Sequence, residues 1–435
     1  MTVHSAVRRL VVTGVLVVIG CRCIETLALG ADGPPTLSAG KPALATFASS
    51  QRSVFHVACF GTEKDREKAR QGIAAWGPLS KKAAGELRKF VATEWPSPPQ
   101  PGGWKGKATA TGGMRELDVP GLGKREYYLS LPPQPYTPTR ASPVLLSLHG
   151  AGGNGKGEYQ WCWAKWAKQW PGFIACPSGE PAGQQWFKDG TFGEDQQPFV
   201  MALLADLRKN FAVDDDRILI HGFSNGGNAS WYYAMHYPSL FAGMVTRGGS
   251  PCRTEWFENL LHVPSYIVHG DKDSVIGAED DRKAAAKLKN LAYDVTYKEL
   301  PGGHDPFLND TNPEIVTWLG KQKRKAYPLK IAFKNADVRA SRAYWVEITD
   351  RVGKGAEVNA EVKENRIELT VRGVKEIVLW LSDDLVDLEQ PVTVVCGGKT
   401  LHEALVPRAA ADLLAWLDAT GDRAAAPVVR LALKP

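Results

Sequence analysis

The chain lacks the spacings that announce a metal site. Its seven cysteines, at 21, 23, 59, 162, 176, 252 and 396, form no Cys-x-x-Cys pair and no Cys/His cluster of zinc type. Beyond the first 30 residues it has no apolar run near the roughly 20 residues that a membrane-spanning helix needs. No internal repeat appears, and no glycine-rich loop ends in Gly-Lys-Ser/Thr, so Gly150–Gly157 does not qualify as a phosphate-cradling P-loop. Neither sign of charge dominates: 53 Lys/Arg stand against 47 Asp/Glu. The basic excess sits in residues 31–110, with 12 Lys/Arg against 6 Asp/Glu, on an otherwise slightly acidic body. That pattern is a solvated basic face, at most loosely drawn to an anionic surface, and it argues against a nucleic-acid partner. What is present is globular: 44% hydrophobic and 23% charged residues in a length that suggests two or three domains.

The first 30 residues read as an export signal. Arg8 and Arg9 precede the apolar run Leu10–Gly20, which is too short to span a bilayer as a stable helix. Ala28-Leu29-Gly30 has the small-x-small pattern of ordinary signal cleavage. Val18-Ile19-Gly20-Cys21 competes with it as a lipoprotein box, and lipidation of Cys21 would tether the chain to a membrane surface. Either route places the mature protein outside the cytoplasm, secreted or periplasmic. An oxidising compartment permits one disulfide, and Cys162–Cys176 is the expected pairing.

Residues 31–62 read as irregular, and residues 63–92 as two helices broken at Gly77-Pro78. Trp95-Pro-Ser-Pro-Pro-Gln-Pro-Gly-Gly103 is a linker by composition, closing an N-terminal segment over 31–103. From 104 to 326 short apolar strands alternate with helical stretches. Strands are expected at Arg115–Val119, Arg125–Leu131, Val144–Leu148, Phe173–Cys176, Arg217–Ile220, Gly243–Thr246, Ser265–Val268 and Val295–Leu300, with helices at about 157–169, 195–211, 226–236, 279–291 and 312–323. Continuous apolar strands such as Val144-Leu-Leu-Ser-Leu148 are buried on both faces, which predicts a doubly wound, mostly parallel α/β sheet. Over 327–435 the period becomes two, in Ala356–Val362 and Ile367–Val371 around a turn at Glu364-Asn365. Further strands are expected at Tyr344–Ile348, Glu376–Leu381, Val392–Cys396 and Val428–Leu433, with one helix at about 408–418. This reads as a small β-rich accessory domain.

The sharpest chemical signal is Gly222-Phe-Ser224-Asn-Gly226, a Gly-x-Ser-x-Gly that directly follows a predicted strand and precedes a predicted helix. A serine on so tight a turn projects its hydroxyl clear of the backbone, and a side chain at either glycine would clash. Serine needs a base to take its proton. In this layout the acid and then the histidine follow the serine in the chain. Of the two histidines after His269, His402 lies in the β-rich segment, which leaves His304 in Gly302-Gly-His304 as the base. The acid is Asp273 in His269-Gly-Asp-Lys-Asp273, with Asp271 as the alternative. Both acids and His304 fall at carboxyl ends of predicted parallel strands, where open α/β sheets build their sites. An oxyanion would be met by the backbone N–H groups of Asn225 and of Ala151, with Gly152 as the alternative in Leu148-His-Gly-Ala-Gly-Gly153. His149, His221 and His269 each precede a glycine at a strand end and read as packing or capping groups. Trp186, on the loop after the fourth strand, is a candidate for stacking on a sugar or aromatic acyl group. Trp161, Trp163, Trp166 and Trp170 read as core.

Over about residues 115–325 these elements resemble the α/β-hydrolase superfamily, and most of all secreted bacterial esterases of the polyhydroxybutyrate-depolymerase and feruloyl-esterase type. Leu148-His-Gly-Ala151, Gly222–Gly227, Val268-His-Gly-Asp-Lys-Asp273 and Gly302-Gly-His304 carry the resemblance. It implies a serine esterase without cofactor, acting on a small or polymeric ester, and it places the acid on Asp273. Val275-Ile276-Gly277 departs from the valine-proline that often follows the acid in that family. Prolyl-oligopeptidase-type peptidases share the triad, but 110 N-terminal residues cannot hold their propeller.

Overall fold

Every residue of Ser142-Pro-Val-Leu-Leu-Ser-Leu148 is buried. Leu145 points to one apolar layer while Val144, Leu146 and Leu148 point to another, so this strand must lie inside a sheet covered on both faces. In the computed structural model it is the centre of an eight-stranded sheet. The strands are β1 (Gly112–Val119), β2 (Gly123–Ser130), β3 (Ser142–Leu148), β4 (Phe173–Pro177), β5 (Val213–Phe223), β6 (Gly243–Arg247), β7 (Ser265–Gly270) and β8 (Val295–Leu300). Their order is β1-β2-β4-β3-β5-β6-β7-β8. The first two joins, β1 to β2 and β2 to β4, are antiparallel and the rest are parallel. The structure describes residues 42–93, 103, 105, 111–133, 137, 139–179, 196–251, 254–305, 310–335, 339–353 and 355–435. The export segment with Cys21, nearly all of the linker, Trp186 and Cys252 lie outside these residues.

The helices are α1 (Ser49–Phe60), α2 (Glu63–Ala74), α3 (Lys81–Thr93), α4 (Gly155–Glu158), α5 (Gln197–Asn210), α6 (Asn225–His236), α7 (Glu279–Asn290), α8 (Asn312–Lys321) and α9 (Ala410–Thr420). Among the described residues no helix is long and apolar enough to cross a membrane. Three expectations are corrected here. Residues 31–62 are not irregular throughout, because α1 forms and buries Phe55 and Ala58. The helix expected over 157–169 is instead the short α4, a π-helical turn Tyr159–Trp163 and a series of turns. The Asn312 amide takes the Cys162 carbonyl at 3.0 Å, and Ala164 N–H bonds the Tyr159 carbonyl at 2.8 Å, the five-residue spacing of a π turn. Cys162 and Cys176 are both buried as free thiols, so the expected disulfide is not formed. A 3-10 helix, Thr254–His262, was not anticipated.

After α8 come β9 (Lys330–Asn335), β10 (Arg342–Ala343), β11 (Val346–Arg351), β12 (Ala356–Lys363), β13 (Arg366–Arg372), β14 (Val374–Leu381), β15 (Val392–Cys396), β16 (Lys399–Ala404) and β17 (Val429–Leu433). They form a four-stranded sheet, β10-β11-β14-β17, and a five-stranded one, β16-β15-β13-β12-β9. The β12–β13 hairpin turns at Glu364-Asn365, with Lys363 opposite Arg366 and Glu364 at φ 53°. Strands β9, β10 and β16 were not expected. The run Tyr344–Ile348 is not one strand, because a turn at Tyr344-Trp345 brings Ala343 opposite Val346. Helices α1–α3 share a single apolar core with these sheets: Phe47, Phe55, Leu87 and Phe90 pack in the same cluster as Phe333, Val358, Leu379 and Trp416.

Candidate active site

Strand β5 ends at Phe223 and α6 begins at Asn225, so Ser224 alone makes the turn. Its φ of 55° and ψ of −122° lie outside the regions that L-residues favour, a strain of roughly 1–3 kcal/mol that the surroundings must hold. Close approach explains the flanking glycines. A Cβ on Gly222 would sit 2.0 Å from the Gly226 carbonyl oxygen, and one on Gly226 would sit 2.1 Å from that of Leu148. Ser224 N–H donates to the Arg247 carbonyl at 2.8 Å, which fastens the turn to β6. The N-terminus of α6 behind the serine favours negative charge there.

The loop after β8 carries His304 back to this turn. Its Nε2 lies 2.8 Å from Ser224 Oγ, and its Nδ1 lies 2.6 Å from Asp273 Oδ2. The partners define the tautomer: Nδ1–H donates to the carboxylate and Nε2 is left to accept from the hydroxyl. The Asp273 side chain has no exposed surface, and its Oδ1 accepts from Val275 N–H at 2.8 Å and Ile276 N–H at 2.9 Å. Burial pushes its carboxyl upward, but the bonds from His304 and these two amides outweigh burial and hold it below the ordinary range. Asp271 does a different job. Its Oδ1 accepts from Gly302 N–H at 2.9 Å, tying the His304 loop to the end of β7.

The loop after β3 turns tightly, with Gly153 N–H bonded to the Gly150 carbonyl at 3.1 Å and Ala151 and Gly152 exposed at its corner. A Cβ on Gly150 would be 3.3 Å from that of Ser224, so this loop lies against the serine. Asn225, the first residue of α6, is buried beside it. His149 holds the loop from behind: Nδ1 donates to the Gly150 carbonyl at 2.7 Å and Nε2 accepts from Gly179 N–H at 2.9 Å. Burial lowers its pKa, in keeping with a neutral ring.

A buried polar network lies below, and its sequence carried no signal for it. Ser147 Oγ donates to Glu158 at 2.6 Å and accepts from Trp163 Nε1 at 2.7 Å and His221 Nδ1 at 2.8 Å. Burial pushes the Glu158 carboxyl up, but the bonds from His221 and Ser147 outweigh it, so the group stays ionised. Burial holds His221 neutral. Arg247, also fully buried, donates to Asn312 and balances the Glu158 charge. The strand behind the loop at 150–153 and the strand behind Ser224 are joined through this network.

The sheet order and the serine on the turn after β5 define an α/β-hydrolase fold. Residues 137–310, which contain Ser224, Asp273 and His304, match the family model described as phospholipase/carboxylesterase. The chain spans about half the length of the curated relatives it matches. It is 28% identical over 115 residues to acyl-protein thioesterase 1 of Gibberella zeae, covering 25% of this chain and 48% of that one. It is 26% identical over 117 residues to Protein usf of Aquifex pyrophilus, covering 27% and 50%. Among solved structures it is similar to a thermostable esterase at 23% identity, with 49% of this chain and 63% of that chain covered and a TM-score of 0.44. A ferulic acid esterase from Anaeromyces mucronatus is similar at 15% identity, with 52% and 94% covered and a TM-score of 0.41.

Proposed function

We propose that this chain is a serine hydrolase of carboxylic esters that works through an acyl-enzyme. The observation that carries the reading is the continuous path from Ser224 Oγ to His304 at 2.8 Å and from His304 to the buried Asp273 at 2.6 Å. His304 takes the hydroxyl proton as Oγ attacks the ester carbonyl, and Asp273 orients the ring and stabilises the imidazolium that forms. The oxyanion is met by the N–H groups of Asn225 and Ala151. The imidazolium returns its proton to the departing alkoxide, and water then cleaves the acyl-enzyme by the same steps in reverse roles. The match of residues 137–310 to a phospholipase/carboxylesterase model favours an ester over a peptide bond, and the thioesterase relative adds thioesters to the substrates worth testing.

The test is labelling with a fluorophosphonate probe, followed by hydrolysis of p-nitrophenyl, feruloyl, acetyl-sugar and thioester substrates. Wild type should label at Ser224 and turn over at least one ester class. Ser224→Ala should lose both, with activity down by about 10⁴-fold or more, as triad members act as a unit. Undiminished hydrolysis by a clean Ser224→Ala preparation would sink the assignment.

A further inference from the structure

Behind Asp273 stands a second histidine–carboxylate couple that the proposed reaction does not itself use. His269 is fully buried at the end of β7. Its Nδ1 lies 2.8 Å from Asp281 Oδ2 on α7. Its Nε2 lies 2.8 Å from the Ile276 carbonyl and 3.3 Å from Asp273 Oδ2. Both ring nitrogens therefore face acceptors. A neutral imidazole has one N–H and one lone pair and satisfies only one of those sides. The arrangement requires a second proton, held by the ring or by Asp281. The surroundings agree. Burial works against the charged ring, but Asp281, the Ile276 carbonyl and Asp273 outweigh it and raise His269 above its ordinary value. Burial pushes Asp281 up to about 6. The other groups around the couple are Asp280 on α7, the Trp231 indole on α6, and Tyr297 and Glu299 on β8, the last paired with Arg282.

We propose that His269, held by Asp281, is a positioning residue for the acid of the triad: it fixes the 273–276 turn through the Ile276 carbonyl and aims an N–H at the Asp273 oxygen that bonds His304. The proposal rests on the roles given above to Ser224, His304 and Asp273. Oδ2 of Asp273 is shared between the two rings. A donor behind it fixes that oxygen where it meets His304 Nδ1, so the ring keeps the orientation in which Nε2 faces Ser224. His269 thus sets the geometry of the acid and, through it, the orientation of the His304 ring.

Three variants test this. His269→Leu removes the donor, His269→Gln keeps an amide donor, and Asp281→Asn removes the charge that holds the ring. In His269→Leu, kcat should fall roughly 10- to 100-fold with little change in KM, as for a small misplacement of the catalytic groups. His269→Gln, which keeps a donor, should recover much of the lost kcat. In an Asp273→Asn background, adding His269→Leu should cost no further kcat. The low-field proton resonance of His304 Nδ1–H reads the His304–Asp273 contact without turnover, and its chemical shift should change in His269→Leu and Asp281→Asn. If the leucine variant does not fold, Asp281→Asn carries the test with the same expected direction. A kcat and a resonance that stay in place, with only the melting temperature reduced, would overturn the proposal. A wild type that neither labels with fluorophosphonate nor cleaves esters would sink the functional reading instead, while the resonance still decides the role of His269.

Discussion

Asp271 Oδ1 accepts a hydrogen bond from the Gly302 amide at 2.9 Å, whereas Asp273, two residues on, reaches the His304 ring itself. One aspartate holds the loop and the other meets the imidazole. Asp273→Asn should therefore cost about 10³- to 10⁴-fold in kcat, because the orienting anion is lost. Asp271→Asn keeps an oxygen for the Gly302 amide and should cost less than about tenfold, with Asp271→Ala intermediate. Steady-state kinetics on a p-nitrophenyl ester rank the three, and a reversed ranking would exchange the two roles.

The Ser224 turn should not accept a methyl group. Gly222→Ala and Gly226→Ala drive a Cβ to 2.0 and 2.1 Å from backbone oxygens that cannot move without disturbing the sheet. Both should destabilise by several kcal/mol and yield little soluble protein. Gly277→Ala, where nothing lies within 4 Å of the added carbon, is the control and should melt close to wild type. Two soluble, active alanine variants at the turn would refute the close-packed geometry.

Removing everything after residue 326 should fail to give a folded hydrolase. Arg324 is buried with ion pairs to Asp216 at 2.9 Å and Asp422 at 2.7 Å. Arg423 reaches Asp215 at 3.3 Å, beside the Arg208–Asp215 pair at 2.7 Å. The cut deletes Asp422 and Arg423, leaves Arg324 with Asp216 alone and Asp215 with Arg208 alone, and opens to water a surface that was buried. It also strips α1–α3 of the strands they pack against. Fragments ending at 326 should aggregate while residues 42–435 remain soluble. A soluble, esterase-active 104–326 fragment would show that the contacts are dispensable.

Asp412 gives a pH signature away from the site. Burial raises its carboxyl to about 6, against a bond from Arg430 N–H and the Arg430 charge, which lower it. A pKa raised on folding favours the native state below the unfolded value and loses that contribution as pH climbs through about 6. Asp412→Asn should thus stabilise the protein at pH 7–8 by roughly 1–3 kcal/mol and have little effect near pH 4. Thermal melts across that range decide it, and an equal gain at both ends would assign the effect to something other than ionisation.

What the sequence determined by itself was local. The apolar run of β3, the 3.6-residue period of α5–α8 and the two-residue alternation of β12 are each written within about ten neighbours, and each element formed where those patterns lie. The Ser224 turn was legible because its glycines are dictated by contacts within the motif and the strand beside it. His304 and Asp273 were legible because strand ends on a parallel sheet converge on one edge. The rest was decided by partners far away in the chain. The π turn exists because Asn312, 150 residues on, takes the Cys162 carbonyl. The strand expected over Tyr344–Ile348 breaks because the Tyr344 hydroxyl bonds the Pro238 carbonyl and the Trp345 indole bonds that of Pro328, which holds Tyr344 at φ 54° against its intrinsic preference. The core shared by α1–α3 and the C-terminal strands, and the placing of Ser147, His221 and Glu158 in one buried network, have the same origin. Buried polar groups must find partners wherever the fold brings them, and no local period encodes that choice.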